Sequence, residues 1–136
     1  MPATVPCLWF DGQAEEAARF YTSIFPNSEI LEIVPYGPDM PGEEGAVMVV
    51  SFALDGQKYV GLNGGPQFTF SEAISFQIMC ADQAEVDHYW ERLCEGGSEG
   101  PCGWLKDRFG LSWQVVPTRL IELMSDPDPG RASRAT

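Results

Sequence analysis

The sequence carries one short pattern twice, seventy residues apart. Gln13-Ala14-Glu15 returns as Gln83-Ala84-Glu85, and each copy follows an apolar, strand-like run and opens an amphipathic helix. Such a repeat indicates two copies of one supersecondary unit within a single domain, because 136 residues is close to the commonest domain size. The repeat constrains the fold strongly and the reaction only weakly.

The first module, about residues 4–65, is predicted to contain four strands and one helix. Asp55-Gly56 is the strongest short hairpin signal in the chain. Residues 35–45 are rich in Pro and Gly and predict a long loop, a candidate lid or subunit contact. Strands are predicted at residues 5–10, 28–34, 46–54 and 57–63. The helix is indicated by apolar side chains at helical spacing, namely Ala14, Ala17, Ala18, Tyr21, Ile24 and Phe25.

The second module, about residues 66–117, repeats this order. Asp82 is a predicted N-cap, and Glu85 three residues later resembles a capping box. The helix should bury Val86, Tyr89, Trp90, Leu93 and Cys94 and end at Gly96-Gly97. Strands are predicted at residues 73–80, weakly within 98–102, and in a closing hairpin of 103–107 and 111–116. A C-terminal helix at about 118–125 and a loose tail at 126–136 complete the prediction.

Each half therefore reads β-α-β-β-β. This pattern predicts an α+β fold in which two tandem βαβββ modules form curved mixed sheets around a shared cavity, with the helices on the convex side. Alternation on the fifth strand turns Ile74, Phe76 and Ile78 toward the second helix.

Charge and cysteine spacing exclude several classes of protein. A formal net charge of -12 would repel nucleic acids and anionic membranes, so neither is an expected partner. The sequence shows neither a leader peptide nor a membrane-length apolar run, which predicts a cytoplasmic protein. The four cysteines form no C-x-x-C pair, and we expect them to be buried thiols: Cys7, Cys80, Cys94 and Cys102.

The chain contains four separated motifs, namely Leu8–Tyr21, Leu62–Phe68, Glu72–Gln77, and Gly100–Asp107 with Ser112–Pro117. Together they resemble the PhnB-like family of the glyoxalase/bleomycin-resistance/dioxygenase superfamily, which has the vicinal oxygen chelate (VOC) fold. The resemblance covers about residues 5–129 and implies paired βαβββ modules and a homodimer. It implies no particular reaction, because this fold hosts metal enzymes, metal-free drug binders and members of unknown role.

Metal-using members of the superfamily carry His or Glu on the first and last strands of each module. Alternation predicts which side chains here face the cavity, and these candidate ligand contacts contain no His, Asp or Glu. Gln114 stands where the superfamily's last metal-binding glutamate would lie, and an amide oxygen is a much weaker ligand. No cofactor is therefore predicted, and a divalent metal is not expected. The candidates are Cys7, Trp9, Tyr59, Asn63, Ser75, Gln77, Trp104, Ser112 and Gln114.

Other chemistries have weaker support in the sequence. Cys7 lacks a basic partner, because the single histidine, His88, is predicted on the outer face of a helix. The 61–65 glycine run follows a hairpin and precedes no helix, unlike a nucleotide-binding loop. Chains of this family often carry the label demethylubiquinone 3-methyltransferase, which no S-adenosylmethionine-binding motif in this sequence supports.

The leading hypothesis is metal-independent binding of a small organic molecule in a polar and aromatic cavity. The alternatives are a metal-dependent lyase or dioxygenase with atypical ligands, a structural dimer that binds another protein, and polar groups that merely satisfy one another. We expect Gln114 to bond a polar neighbour, water or a ligand. Lys106-Asp107-Arg108 is predicted to be solvated turn charge rather than a substrate clamp, and Glu72 would turn inward only through a shift in strand register.

Overall fold

A computed structural model describes residues 2–118 of the chain. The chain divides into two compact units between Phe70 and Ser71. Residues 66–70 stay with the first module because Phe68 and Phe70 make edge contacts with Trp9 and Phe10, with ring centroids 4.9 and 5.4 Å apart. Apart from Thr118, the predicted C-terminal helix and tail lie outside the described residues. Neither helix of residues 2–118 is long and apolar enough to cross a membrane.

Module one has the predicted β-α-β-β-β order. Its sheet order is β1-β4-β3-β2, in which β1 and β4 are parallel and the other pairs antiparallel. At the Asp55-Gly56 turn both residues have positive φ, 47° and 85°, as the predicted two-residue hairpin requires. The elements are β1 (Cys7–Phe10), α1 (Ala14–Thr22), β2 (Glu29–Pro35), β3 (Val47–Leu54) and β4 (Gln57–Asn63).

The core of module one lies between α1 and the sheet. The predicted helical stripe is confirmed, although Phe25 is only half-buried and the helix ends at Thr22. The sheet contributes apolar side chains at alternate positions, as expected for a strand with one face covered. The buried core residues are Leu8, Phe10, Ala14, Ala17, Ala18, Tyr21, Ile24, Val50, Phe52 and Leu54.

The register of β1 against β4 corrects the predicted facing of Tyr59, Gly61 and Asn63. Because paired residues in a sheet point to the same face, the pairing of Leu8 with Gly61 places these three β4 residues on the helix side. An added Cβ at Gly61 would meet Ala14 of the helix, and Tyr59 stacks on buried Phe52 with ring centroids 5.5 Å apart. The repeat length could not reveal this difference because it aligns β1 with β5 and does not fix which β4 residue lies opposite.

Asn63 ties the start of α1 to the sheet. Its Oδ1 accepts from the Ala14 N–H at 2.9 Å, while its Nδ2 donates to the Val47 carbonyl at 3.0 Å. The neighbouring N-cap residue, Gln13, makes no side-chain cap. Asn63 therefore caps α1 from a distant strand, a structural role that was not predicted.

Module two has the same element order and the corresponding sheet order β5-β8-β7-β6. β5 and β8 are parallel, β6 and β7 antiparallel, and β7 and β8 antiparallel. The weak middle strand is present and two residues long. The elements are β5 (Ser75–Cys80), α2 (Gln83–Cys94), β6 (Ser98–Glu99), β7 (Trp104–Lys106) and β8 (Ser112–Pro117).

Asp82 caps α2 as predicted. Its Oδ1 accepts from the Glu85 N–H at 2.9 Å, and the Glu85 carboxylate accepts from the Ala81 N–H, one residue before the position used in a standard capping box. On the predicted apolar stripe Tyr89 and Leu93 are buried, while Val86, Trp90 and Cys94 are half-buried.

The helix-facing side of β5 is partly corrected. Phe76 contacts Trp113 and Ile78 is buried, as predicted, but Ile74 is 68% exposed. β5 begins only where Ser75 pairs with Ser112, so Ile74 precedes the strand and alternation does not govern it.

Asp107 is not solvated turn charge but a buried organiser of the β7–β8 connection. It is 3% exposed; Oδ1 accepts from the backbone N–H groups of Phe109 and Leu111, and Oδ2 accepts from the Trp113 indole at 2.9 Å. Three donors offset the cost of burying this carboxylate. A Lys-Asp-Arg run resembles a charged turn because sequence alone does not show such backbone donors.

The expectation of buried thiols holds for one cysteine only. Cys80 is fully buried, and burial, together with the charges of Glu85 and Asp82, raises its pKa to about 11. Cys94 is half-buried, whereas Cys7 and Cys102 are exposed. Cys7 is exposed because it lies on the sheet face opposite α1, and Cys102 because it lies in a turn.

We expect Asn63→Ala to lower the free energy of unfolding by about 1–2 kcal/mol, because the Ala14 N–H and the Val47 carbonyl both lose their side-chain partner. Asn63→Asp retains an acceptor for Ala14 but cannot donate to Val47, so it should fall between Ala and wild type. Urea denaturation, followed by circular dichroism, measures the free energy of unfolding of the three proteins. Equal stability of Asn63→Ala and wild type would contradict the capping role.

Candidate functional site

The sheet of module two has one face covered by α2 and one face turned away from it. The pairing of Ser75 with Ser112 and of Gln77 with Gln114 places these four polar side chains on the face away from the helix, as predicted. Trp113 and Val115, the alternate residues of β8, are buried on the helix side.

Gln114 bonds a polar neighbour, which confirms the expectation from alternation. Its Nε2 donates to Ser75 Oγ at 2.8 Å, across the β5–β8 pair. The bond occupies the Ser75 hydroxyl as an acceptor. It also fixes the orientation of the amide, whose Oε1 is directed away from Ser75.

A cavity of about 470 Å³ lies beside these residues within module two. It is bounded by the segment before β5, by β6 and β7, and by the turn that joins those two strands. Two predicted candidates, Trp104 and Ser112, line it. Its other lining residues are Glu72, Ser98, Glu99, Gly100, Pro101, Leu105 and Lys106.

A tight turn sets the position of Trp104. Its N–H donates to the Pro101 carbonyl at 3.0 Å, and the two residues between them, Cys102 and Gly103, have positive φ as in a type I′ turn. Gly100 donates to the Trp104 carbonyl at 2.8 Å, and a Cβ on Gly100 would come within 3.0 Å of that oxygen. The glycine therefore allows the turn to close against Trp104.

Lys106 and Glu72 form an ion pair at the same cavity. Lys106 pairs in register with Ser112, so its side chain leaves β7 on the face away from α2, like that of Trp104 two residues earlier. The hydrogen bond from Lys106 lowers the pKa of the Glu72 carboxyl, aided by a backbone hydrogen bond and the Lys106 charge. The side chains are 45% and 63% exposed, so the pair contributes little to stability.

The sequence predicts Lys106 to be solvated charge and Glu72 to lie inward only through a shift in strand register. No such shift occurs, and Glu72 reaches the cavity from the segment before β5. Alternation from Trp104 could have identified Lys106, whereas nothing in the sequence indicates the Glu72–Lys106 pair.

Ser112 is the distinctive polar group of the cavity. It is 1% exposed, and its Oγ has no hydrogen-bond partner among the described residues. Its cross-strand neighbour Ser75 is engaged by Gln114 instead. A buried hydroxyl without a partner costs about 1–3 kcal/mol, and such groups in folded proteins call for an explanation.

The module-one candidates have different environments. Cys7 and Trp9 lie on the face of β1 opposite α1, as predicted, but Tyr59 and Asn63 lie on the helix side. The Trp9 indole donates to the Gly65 carbonyl at 2.8 Å, and its ring covers Gly64, where a Cβ would overlap it. The glycine run thus accommodates Trp9.

A second cavity, of about 480 Å³, lies within module one. Asn63 lines it, together with the carboxylate residues Asp11 and Glu15, and Tyr36 donates to the Asn63 backbone carbonyl nearby. Burial raises the pKa of Tyr59, which lies elsewhere in the module-one core. Cys7 and Trp9 do not line this cavity, so the module-one candidates do not share one site there.

The donors on the relevant strand faces do not fit a divalent metal ion. β1 offers Cys7, β5 offers Ser75 and Gln77, and β8 offers Ser112 and Gln114, with no imidazole or carboxylate among them. No three His, Cys, Asp or Glu side chains within residues 2–118 form a group that could hold a metal. The Gln114 amide is already oriented by its bond to Ser75.

Two βαβββ modules, each with a parallel pairing of its first and last strands, define a protein of the glyoxalase/bleomycin-resistance (VOC) fold. The chain belongs to the PhnB-like family described as 3-demethylubiquinone-9 3-methyltransferase, whose pattern matches residues 2–116. A Bacillus cereus PhnB protein given that description is 34% identical, with 85% of this chain and 99% of that chain covered and a TM-score of 0.75.

More distant structures share the fold. Protein PA1353 of Pseudomonas aeruginosa is 22% identical over 86% of this chain and 98% of its own, with a TM-score of 0.70. The fosfomycin resistance protein FosX of Listeria monocytogenes is 18% identical over 92% of this chain and 98% of its own, with a TM-score of 0.63. No curated protein matches the chain.

The two serines facing each other across β5 and β8 should respond oppositely to alanine. Ser112→Ala removes an unpartnered buried hydroxyl and should raise the free energy of unfolding by about 1 kcal/mol. Ser75→Ala removes the acceptor of Gln114 and should lower it by about the same amount. Chemical denaturation of the ligand-free proteins measures both changes. A loss of stability in Ser112→Ala would show that its hydroxyl is partnered.

Replacing Gln114 by Glu restores the superfamily's ligand type at one position. Because Ser75, Gln77 and Ser112 supply no imidazole or carboxylate beside it, we expect Gln114→Glu to bind no stoichiometric zinc, nickel or manganese after dialysis. Elemental analysis of the variant and of wild type measures the metal content. One equivalent of metal in the variant alone would contradict this account of the donor set.

Proposed function

We propose that this protein binds a small organic molecule in the module-two cavity without using a metal ion. The observation that carries the proposal is the buried, unpartnered hydroxyl of Ser112 in the wall of that cavity. A ligand that hydrogen-bonds the Ser112 hydroxyl removes the free-energy cost of leaving that group unpaired.

The dimensions and composition of the cavity support the proposal. A volume of about 470 Å³ falls within the range of small-molecule sites, roughly 300–1,000 Å³. Trp104 provides an aromatic wall, and Pro101 adds apolar surface. A site that orients an organic ligand usually has a few polar groups beside a mostly apolar wall.

The family description names methyl transfer, and FosX is described as a resistance protein. We do not extend methyl transfer to this chain, because Gly64 and Gly65 accommodate the Trp9 indole and β4 continues into no helix. A glycine loop that binds a cofactor through its backbone would precede a helix whose N-terminus faces the ligand. The likeness to FosX supports the fold alone.

A homodimer and a cytoplasmic location also remain proposals. The homodimer is an expectation from the family resemblance. The cytoplasmic location is likewise an expectation from the sequence alone.

A thermal-shift screen of metal-free protein against aromatic and aliphatic metabolites tests the binding proposal. At least one compound should raise the melting temperature of wild type, because it binds only the folded state. Trp104→Leu should reduce that rise by more than half. Phe68→Leu, which removes a 64%-exposed ring outside this cavity, is the matched control and should retain it.

Two outcomes would count against the proposal. If binding were lost in Phe68→Leu and kept in Trp104→Leu, the ligand would occupy another site. If every stabilising compound required added metal, the proposal of metal-independent binding would be overturned.

A further inference from the structure

We infer that the module-two cavity selects planar aromatic molecules that carry a neutral carbonyl oxygen, held between the Ser112 hydroxyl and the Lys106 ammonium. This inference rests on the proposed binding function and adds the class of ligand. It follows from the hydrogen-bond donors that converge in the cavity, from their charge balance and from the shape of the wall.

Two donors lie side by side in this cavity. Lys106 and Ser112 are direct partners in the β7–β8 register, and Cβ atoms of such pairs are about 4.5–5.5 Å apart on the same face. The Ser112 hydroxyl has no hydrogen-bond partner within residues 2–118. The Lys106 ammonium carries three donor hydrogens, and Glu72 accepts from one side of it. A carbonyl oxygen has two lone pairs and can accept one hydrogen bond from each residue.

The charges favour a neutral ligand over an anion. Glu72 already neutralises Lys106, so an incoming carboxylate would have to displace the Glu72 carboxylate or lie beside it. The third charged residue of the lining, Glu99, pairs in register with Leu105 and accepts from the Trp90 indole of α2, so it adds negative charge and no donor. The chain's formal net charge of -12 adds a further general repulsion of anions. A neutral carbonyl binds without breaking the ion pair.

A cationic ligand is disfavoured at the same point. It gains no net attraction from the neutralised Lys106–Glu72 pair. Of the two neighbouring groups, only the Ser112 hydroxyl could accept a hydrogen bond from it, because the Lys106 ammonium is a donor only. A carbonyl oxygen therefore matches the two donors better than either a carboxylate or an amine.

The wall favours a flat ring system. Trp104 precedes Lys106 by two residues and projects from the same face of β7, so an aromatic body on the indole places its substituent toward the lysine. The glycine at position 100 keeps the opposite backbone close to Trp104. Offset or edge contacts between aromatic rings add stabilisation beyond that of the buried area, which favours a planar ligand.

Three probes with one ring system and different charges test the inference: 2-acetylnaphthalene, 2-naphthoate and 2-(aminomethyl)naphthalene. Isothermal titration at pH 7 should show the ketone binding at least fivefold more tightly than the acid or the amine.

Substitutions assign the preference to the two donors. Ser112→Ala and Lys106→Met should each weaken ketone binding about three- to tenfold, while naphthalene, which has no acceptor, should bind each variant like wild type. Lys58→Met, a lysine of β4 outside this cavity, is the control for loss of positive charge and should leave ketone binding unchanged. Trp104→Leu should weaken all the probes.

The outcomes distinguish failure of the carbonyl preference from failure of the proposed small-molecule binding. Equal affinity for the three charged and uncharged probes, still dependent on Trp104, would overturn the carbonyl preference and leave the binding function standing. Tighter binding of the acid or the amine would also overturn it. If the ketone does not bind, the inference fails, and the metabolite screen decides the binding function independently.

Discussion

The parallel pairing of the first and last strands in each module is the constraint on which the rest of the structure depends. β1 lies beside β4 and β5 beside β8, so residues about forty to fifty positions apart become neighbours in the sheet. Parallel neighbours need a long connection, which the helix and two intervening strands supply. This pairing brings Ser75 next to Ser112, and the β7–β8 hairpin then brings Lys106 to the same place.

The two modules use the same pairing but fill its faces differently. In module one, the face of β4 that packs against α1 carries Tyr59, Gly61 and Asn63, so its polar groups serve the core and the helix cap. In module two, the polar residues of β8 lie on the side away from α2, beside the cavity. The same architecture thus holds Asn63 of module one in two hydrogen bonds to the backbone, whereas in module two it leaves Ser112 without a partner among the described residues.

The element order could be predicted because periodicity is local: Ala14 to Tyr21 show a helical stripe, and Asp55-Gly56 marks a hairpin. The β4 facing was missed, although the predicted Asp55-Gly56 hairpin pairs Tyr59 with Phe52 and so places Tyr59 on the face of β3 that packs against α1. Alignment by the repeat length uses no such pairing, and an error of one position changes the face. The burial of Asp107 depends on backbone donors from residues that follow it. At the candidate site, Trp104 and Ser112 were accessible to alternation, whereas the Glu72–Lys106 pair joins segments that share no local pattern.

The caps of the two helices have a consequence for the order in which the chain can fold. The α2 cap joins residues three apart, whereas the side-chain acceptor at the start of α1 comes from Asn63, 49 positions away. A local bond forms with little loss of chain entropy, but a distant one requires the intervening loop to close first. The start of α2 can therefore be completed while its module is still unfolded. The first turn of α1 acquires its side-chain cap only after β4 has joined the sheet. Formation of that cap therefore marks a late step in the assembly of module one.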